Sequence, residues 1–266
     1  MSFFNMIPIK TPEQIKIMSH GGRILSEVLF EVLEHAVPGV TEIEFDLMAE
    51  KLIRERGGEP GFMRVRGYRH ATCMSTNDIV VHGIPGDYAL KEGDVIGIDC
   101  GVYYKGFHTD MSESIRIQNS KPKFFTGNET ADDGIDKFLS IGKKALNEAI
   151  KVAVAGNRVG QISKTIQDIV EHNAGYGVVR SLIGHGVGRE LHEEPEVPGF
   201  FVGDIKHTPL LKEGMTIAVE IIYNMGTPQV AVDKDGWTIR TKDGKLAGLF
   251  ERSIAVTQGS PLILTK

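Results

Sequence analysis

The chain has 266 residues, of which 41% are hydrophobic and 24% are charged, and its formal net charge is −5 at pH 7. This composition is typical of a globular protein with one large domain or two small ones, and no run of lysine or arginine suggests a nucleic-acid surface. The two cysteines, Cys73 and Cys100, lack CxxC spacing, which argues against a zinc knuckle or a disulfide framework and favours reduced thiols in the cytoplasm. The N-terminus lacks the basic segment of a signal peptide, and no apolar run is long enough to span a bilayer, so we expect no membrane association.

Capping motifs predict two helices near the start of the chain. Thr11-Pro12-Glu13-Gln14 combines an N-cap threonine, a proline at the first helical position and a capping-box glutamine, and the apolar spacing after it predicts a helix to about His35. Thr41-Glu-Ile-Glu44 repeats the capping box and predicts a second helix that ends at Gly57-Gly58.

Strands and turns are predicted from Gly67 to Ile84, and a hairpin follows them. Val95–Tyr104 has the apolar run of a buried strand, Lys105-Gly106 is typical of a tight turn, and Phe107–Ile117 predicts the return strand.

Two aspartates, Asp99 and Asp110, lie on this hairpin. If the turn centres on Tyr104 and Lys105, the two aspartates are directly opposite, with Cβ atoms about 5 Å apart. Two carboxylates that are this close together and partly buried require a shared proton or a cation between them. A divalent metal bound by both is one explanation, and a surface aspartate bonded to nearby amides is the other.

The second half of the chain repeats the order of helices and strands. Gln118–Gly134 is polar and rich in turn residues, which predicts a surface loop. Amphipathic spacing predicts helices over Asp136–Val154 and Val159–Asn173. Further strands are predicted at Val178–Ser181, Met215–Tyr223, Gly236–Thr241 and Leu246–Thr257, with Lys242–Lys245 as a hairpin turn between the last two. The order favours a mixed α/β chain of two similar halves within a single domain.

Two glutamates interrupt the later strands. Glu220 lies within the apolar run 216–223, and Glu251 lies within the run 249–256. A glutamate in a buried strand costs free energy unless it is paired or bound to a metal, although either one could face solvent on a half-exposed strand.

Histidines supply further candidate site residues. His185 and His192 share the glycine-rich segment Gly184–Pro195, where the backbone can turn sharply and approach a site closely. Histidine is a common metal ligand and acid–base group, and the buried carboxylates favour that function for this pair. His82 is a further candidate, and His108, which shares strand parity with Asp110, is interpreted as a packing or supporting residue.

The motifs together resemble those of the methionine aminopeptidases, type I, the short bacterial-type class. The resemblance covers nearly the whole chain from Ile9 onward and keeps the order and rough spacing of every motif. The matching segments are Val80–Pro85, Asp99–Asp110, Gly184–Pro195, Ile217–Glu220, Asp235–Thr238 and Phe250–Thr257.

The resemblance implies an α+β pita-bread fold, in which a curved antiparallel sheet with pseudo-twofold halves is backed by helices, and a single metallopeptidase catalytic domain over residues 1–266. It also implies two divalent metal ions, with Asp99 on one ion, Asp110 and Glu251 bridging both, and His185 and Glu220 completing the other. Such a set of mostly oxygen donors suits cobalt, manganese, iron(II) or zinc and does not choose among them.

Catalytic and substrate-binding roles are implied in the same way. Glu220 resembles the general base, His192 the group that binds the scissile carbonyl oxygen, and His82 the group near the peptide nitrogen. The positions that line a methionine pocket correspond to Tyr68, Cys73, Leu191 and Trp237, for which plain core packing is the alternative.

The implied substrates are peptides and nascent chains that begin with methionine followed by a small residue. The family role implies a cytoplasmic monomer that associates with the ribosome, although no basic docking patch is visible in the sequence, and we expect neither nucleic-acid sequence recognition nor a membrane partner.

The chain departs from the family pattern at Arg252, Ile221 and Leu191, where histidine, proline and phenylalanine are usual, and its segments 118–134 and 199–211 look longer than in compact members. Two other functions stay open at this point: a prolidase or proline-specific aminopeptidase, and a non-catalytic binding protein on the same fold.

Overall fold

A computed structural model describes residues 7–130 and 134–266 of the chain. The α-helices are α1 (Pro12–Glu34), α2 (Glu42–Glu55), α3 (Gly134–Val152) and α4 (Val159–Gln167), the last continued by a π-helical turn over Asp168–Asn173. Both predicted capping boxes form, since the Thr11 amide donates to Gln14 Oε1 at 3.0 Å and the Thr41 amide donates to Glu44 Oε2 at 2.8 Å. The four predicted helices are therefore confirmed, with ends within about two residues of their expected positions.

The strands form a large antiparallel sheet and a small one. The large sheet contains β1 (Glu59–Pro60), β2 (Thr72–Thr76), β4 (Val95–Tyr104), β5 (Phe107–Arg116), β6 (Gly177–Val178), β7 (Gly184–Gly186), β8 (Glu193–Val197), β9 (Thr216–Asn224), β12 (Ala247–Ala255) and β13 (Leu262–Ile263). Its main order is β1-β4-β5-β12-β9-β7-β8. The small sheet contains β3 (Ile79–Val81), β10 (Val230–Val232) and β11 (Ile239–Thr241), in the order β10-β11-β3.

Each half of the chain packs one long helix on a pair of long strands and a second helix beside it. In the first half, α1 packs on β4 and β5, and α2 packs on α1, β1 and β2, around residues such as Leu25, Phe45 and Ile96. In the second half, α3 covers β9 and β12 around Phe138 and Phe250, and α4 packs on α3 and β8. The halves join where β5 pairs with β12, so the two central strands come from different halves.

Helix α3 approaches its strands closely at Gly142. The Tyr223 side chain on β9 is fully buried, and its hydroxyl donates a hydrogen bond to the Phe138 carbonyl at 2.6 Å. A Cβ atom on Gly142 would lie 2.3 Å from that hydroxyl, so only glycine fits between the helix and the ring.

The tight turn predicted at Lys105-Gly106 forms, but the pairing expected for a turn centred on Tyr104 and Lys105 is wrong by two residues. Tyr104 pairs with Phe107, and the turn consists of Lys105 and Gly106, both with positive φ as a type I′ turn requires. Asp99 is therefore opposite Ser112 rather than Asp110, and the two aspartates are diagonal neighbours on one face of the sheet.

The predicted hairpin at Lys242–Lys245 is also wrong. Strand β11 pairs with β10 and β3, whereas β12 pairs with β9, β5 and β13, so this turn connects two different sheets.

The loop predicted at Gln118–Gly134 contains no helix or strand over residues 118–130, and its residues 131–133, like the first six residues of the chain, lie outside the described residues. The loop is not purely a surface feature, because Phe125 is buried in the second-half core. Among the described residues, no helix is long and apolar enough to cross a membrane.

Candidate metal centre and pocket

Two adjacent rows of side chains cross one face of the large sheet. Strand pairing aligns the first row across β4, β5, β12 and β9, as Asp99, Ser112, Glu251 and Glu220. The second row is displaced from the first by two residues along each strand. It contains Gly101, Asp110, Ser253 and Ala218, and it continues to His185 on β7. Ser112 thus separates Asp99 from Glu251, Ser253 and Ala218 separate Asp110 from His185, and Glu251 and Glu220 are directly opposite each other.

All five residues expected to bind metal line a single cavity of about 330 Å³. Ligand atoms of Asp110, His185 and Glu251 all lie within 4.8 Å of one another. His185 Nε2 lies 3.2 Å from Glu220 Oε1 and 4.0 Å from Asp110 Oδ2. The sheet register therefore brings together carboxylates from both halves of the chain.

The electrostatics of this cluster fit a bound cation. Burial and the Glu220 charge hold the pKa of Asp99 above its usual range. Burial, Asp99 and Glu220 raise the pKa of Asp110, and burial, Asp110 and Glu220 raise that of Glu251. Asp99 Oδ1 and Glu251 Oε1 are buried without a hydrogen-bond partner within residues 7–130 and 134–266. Orphaned anionic oxygens of this kind are suited to a divalent metal.

The tautomer of His185 supports the same conclusion. Its Nδ1 lies 2.8 Å from the Gly186 carbonyl, which can only accept, so Nδ1 carries the hydrogen and Nε2 faces the carboxylates. Burial alone would lower the pKa of His185, but its contact with the Glu220 carboxylate raises it above the usual value. A neutral imidazole would set a lone pair against carboxylate oxygens, so the arrangement requires either a proton or a metal at Nε2.

Residues on both faces of the sheet hold the candidate ligands in place. Ser253 Oγ donates to the Asp110 carbonyl and accepts from the Asp110 amide, both at 2.8 Å. On the opposite face, the Arg252 guanidinium donates to the backbone carbonyls of Ser112 and Glu251 at 2.9 and 2.6 Å and contacts the Glu113 carboxylate. The Glu113 carboxylate also accepts from the Lys143 ammonium on α3 at 2.7 Å. Two cations and one anion thus lie buried beneath the acidic face.

His82 and His192 both line the cavity. The rings of His192 and His185 meet edge to face, with centroids 4.3 Å apart. Burial and the nearby imidazoles, His185 first, lower the pKa of His192 to about 4. His82, whose φ is +57°, follows β3, and burial lowers its pKa although Glu220 acts in the opposite direction. Both side chains therefore offer neutral hydrogen-bonding groups beside the carboxylate rows.

The far end of the cavity is apolar. The expected pocket residues Tyr68, Cys73, Leu191 and Trp237 lie in one cluster, and the Tyr68 and Trp237 ring centroids are 5.1 Å apart. The Tyr68 hydroxyl donates to the Thr72 carbonyl at 2.7 Å, so its ring presents an apolar surface to the cavity. Trp237 is placed by the turn before β11, so the small sheet carries one wall of the pocket.

Sequence reasoning missed Phe62 and Val65, which line this pocket with Tyr68. Their spacing of three residues along Phe62, Val65 and Tyr68 was the signal that could have revealed a shared face. His108, interpreted as a supporting residue, lies outside this cavity but lines an adjoining cleft.

Comparison with known proteins gives consistent matches along the chain. The sequence model described as Metallopeptidase family M24 matches residues 16–257. A methionine aminopeptidase of Clostridium perfringens is 39% identical over 260 residues, which is 98% of this chain and 99% of the relative. The crystal structure of methionine aminopeptidase from Thermotoga maritima has a TM-score of 0.90 at 35% identity and covers 98% of this chain and 100% of that one.

A prolidase from Pyrococcus furiosus shares the fold, with a TM-score of 0.74 at 21% identity. The match covers 98% of this chain but only 66% of the prolidase chain. This likeness establishes the pita-bread architecture and says nothing about substrate.

Proposed function

Because this chain belongs to the methionine aminopeptidases of metallopeptidase family M24, we propose which of its residues remove an N-terminal methionine and how. Membership makes the protein a metal-dependent hydrolase that acts on peptides. The observation that carries the residue assignment is the pair of rows on the sheet, which lines the same cavity as an apolar pocket. We assign the whole chain to one catalytic domain, because the site takes side chains from both halves.

Two divalent ions are proposed at Asp99, Asp110, His185, Glu220 and Glu251. When bound, such ions supply a water nucleophile of lowered pKa and Lewis-acid polarisation of the scissile carbonyl. The donor set, four carboxylates and one imidazole, accommodates cobalt, manganese, iron(II) or zinc.

The apolar pocket is proposed to hold the methionine side chain. Sulfur contacts to aromatic rings favour a thioether in a pocket walled by Tyr68 and Trp237, and Cys73 and Leu191 complete its floor. Because the pocket and the carboxylate rows line the same cavity, their arrangement supports a substrate whose first peptide bond lies over the rows.

Three polar residues are proposed to act on the peptide bond. Glu220 accepts a proton from the attacking water as general base. His192 donates a hydrogen bond to the scissile carbonyl oxygen, where negative charge develops. His82 lies on the small-sheet side of the cavity and stabilises the leaving amine at the peptide nitrogen.

A preference for a small second residue follows from the proposed register of the substrate. With methionine held in the pocket, the second side chain has to pass the segment 192–195. A bulky side chain there would displace the scissile carbonyl, and a displacement of about 1 Å can cost roughly 100-fold in rate. Leu191, smaller than the usual phenylalanine, is expected to relax this rule slightly.

In the cell, we propose that the substrates are nascent chains in the cytoplasm and that the protein acts as a monomer near the ribosome. The family's peptide substrates support this proposal. Size-exclusion chromatography and co-sedimentation with ribosomes test it.

The decisive experiment measures free methionine released from Met-Ala-Ser, beside Met-Pro and Xaa-Pro peptides, with each candidate metal in turn. We expect cleavage of Met-Ala-Ser and little of the proline peptides. The Asp110→Ala variant should lose metal affinity in calorimetry, whereas Asp87→Ala, at an exposed aspartate outside the cavity, should not. Preferred cleavage of Xaa-Pro would indicate a prolidase, and metal binding without any cleavage would indicate a binding protein.

A further inference from the structure

A second, polar cleft adjoins the catalytic cavity. It has a volume of about 650 Å³, and Val65, Leu191 and His192 line both spaces. In the proposed function, His192 contacts the scissile carbonyl and the methionine side chain points into the apolar pocket. The shared wall therefore leads from the scissile bond into the polar cleft, which is where the rest of the peptide can leave the site.

Two arginines line this cleft from different segments. Arg64 ends a short 3₁₀ turn, and its guanidinium carbon lies 3.8 Å from the centroid of the Tyr103 ring. Arg189 lies between β7 and β8, and its guanidinium carbon lies 5.0 Å from the centroid of the Phe107 ring. Stacking on an aromatic ring orients a guanidinium while leaving its N–H edge available for a carboxylate.

These arginines are weakly neutralised. Arg64 forms an exposed ion pair with Glu59 at 3.0 Å, which contributes little attraction in solvent. Among the described residues, Arg189 forms no ion pair, and Glu190 is the acidic residue that lines the cleft with it. Glu59 and Glu190 offset the two guanidinium groups in formal charge, but the Arg189 guanidinium has no ion-pair partner within residues 7–130 and 134–266 and stays available to a substrate carboxylate.

A buried polar ring completes the wall. His108 is 5% exposed, lines the cleft, and its Nδ1 has no hydrogen-bond partner in the described part of the chain. Its amide donates to the Gly188 carbonyl, which fixes β5 against the segment that carries Arg189. The unpaired Nδ1 of His108 thus offers the cleft a polar atom that can contact a peptide backbone.

We propose that this arginine cleft, formed by Arg64, Tyr103, His108 and Arg189, binds the third and fourth residues of the substrate and favours an acidic side chain there. The proposal rests on the proposed function, because it uses the position of the scissile bond. An extended peptide advances about 3.4 Å per residue, so residues three and four are the first beyond the rim at 192–195.

The test compares kcat/KM for the amidated peptides Met-Ala-Asp-Ser, Met-Ala-Asn-Ser and Met-Ala-Lys-Ser, with a second series that places the same residues fourth. In at least one of the two series, we expect kcat/KM for the aspartate peptide to exceed that for the lysine peptide by roughly 3- to 10-fold, mostly because its KM is lower. We expect this difference to disappear in high salt. A free-acid Met-Ala-Ser peptide beside its amide distinguishes a terminal carboxylate from an acidic side chain.

The variants Arg189→Gln and Arg64→Gln should reduce the ratio of aspartate to lysine toward one. Arg69→Gln, an exposed arginine of the neighbouring loop that does not line the cleft, should keep the wild-type ratio. An equal rate for all peptides, or a ratio unchanged in Arg189→Gln, overturns the cleft assignment while leaving the aminopeptidase assignment intact.

Equilibrium binding of the same peptides by calorimetry supplies the ratio independently of turnover. If no peptide is cleaved, the proposed function fails. The ratio of binding affinities for the aspartate and lysine peptides still shows whether the cleft favours an acidic side chain. Binding of a short RNA that competes at Arg64 and Arg189, with no discrimination among peptides, would also overturn the proposal.

Discussion

Lys10 and Glu193 form a buried ion pair between the start of the described chain and strand β8, next to His192. Their side chains are only 4% and 9% exposed, and Glu193 Oε1 also accepts from the Glu190 amide at 3.2 Å. The pair therefore fixes the segment that carries Arg189, Leu191 and His192.

Replacing Lys10 by methionine should leave the Glu193 carboxylate buried and unpaired. We expect a loss of about 3 kcal/mol in the free energy of unfolding, measured by urea denaturation, and a lower kcat. The double variant Lys10→Met/Glu193→Gln should recover much of the stability, because it removes the unpaired charge. Equal stability of Lys10→Met and wild type would show that the pair does not support this segment.

The role assigned to His192 separates transition-state binding from metal binding. His192→Ala should lower kcat on the order of 100-fold, since removing one oriented donor at the carbonyl oxygen has an effect of this size. Metal content, measured by elemental analysis after dialysis, should stay at the wild-type level. A parallel fall in metal content and activity would make His192 a ligand instead.

The buried charges of Arg252, Glu113 and Lys143 predict that replacing Arg252 destabilises the protein more than replacing Lys143. Arg252→Met should reduce the free energy of unfolding by about 3 kcal/mol, because the Ser112 and Glu251 carbonyls and the Glu113 carboxylate lose a buried donor. Lys143→Met should cost less, since the Lys143 side chain is more exposed and the Arg252 contact to Glu113 remains. Similar unfolding midpoints in urea for both variants would contradict this ordering.

Close contact between α3 and β9 predicts a sharp effect at Gly142. Gly142→Ala places a methyl group against the buried Tyr223 ring and should destabilise the protein by roughly 1–3 kcal/mol. Gly134→Ala, where a Cβ meets no atom of the described residues within 4 Å, is the matched control and should be neutral or slightly stabilising. Thermal unfolding of the two variants compares them directly.

Acid should loosen the loop before α3 through Glu129. Burial alone would raise the pKa of Glu129, but hydrogen bonds from Thr126, Gly127 and Ser140 lower it to about 2. Because the pKa is lower in the folded state, the stabilisation is complete above about pH 4.5 and is lost as the pH falls toward 2. Glu129→Gln should therefore differ from wild type in hydrogen exchange of residues 126–130 at pH 6 and differ less near pH 3, whereas Glu92→Gln, on an exposed turn, should resemble wild type at both.

Local sequence signals predicted the helices well, because capping boxes at Thr11 and Thr41 act within four residues. The same locality explains the error in the hairpin register: the choice between turns at Tyr104-Lys105 and at Lys105-Gly106 depends on which residues adopt positive φ. The candidate ligands were identifiable because carboxylates within apolar strands are rare without a partner.

Features that depend on distant pairing could not be predicted from the sequence. The Lys10–Glu193 pair joins residues 183 apart in the chain, and nothing near either one marks the other. Likewise, the turn at Lys242–Lys245 has hairpin composition, but β11 finds its partners in β3 and β10 rather than in β12. Tertiary context decided these pairings.

Each half of the chain contributes two carboxylates to the site, and this symmetry affects how the direction of a bound peptide is determined. Asp99 and Asp110 come from the first pair of long strands, and Glu220 and Glu251 come from the second. A site made only of these groups would look much the same to a peptide lying either way round. Telling the amino end from the carboxyl end therefore falls to groups that differ between the two edges of the rows. Beyond Asp99, β2 places Cys73 of the apolar pocket next to the first row, whereas β7 carries His185 at the other end of the second row. An apolar pocket at one edge and imidazoles at the other give a bound peptide a single direction, which the carboxylates between them do not.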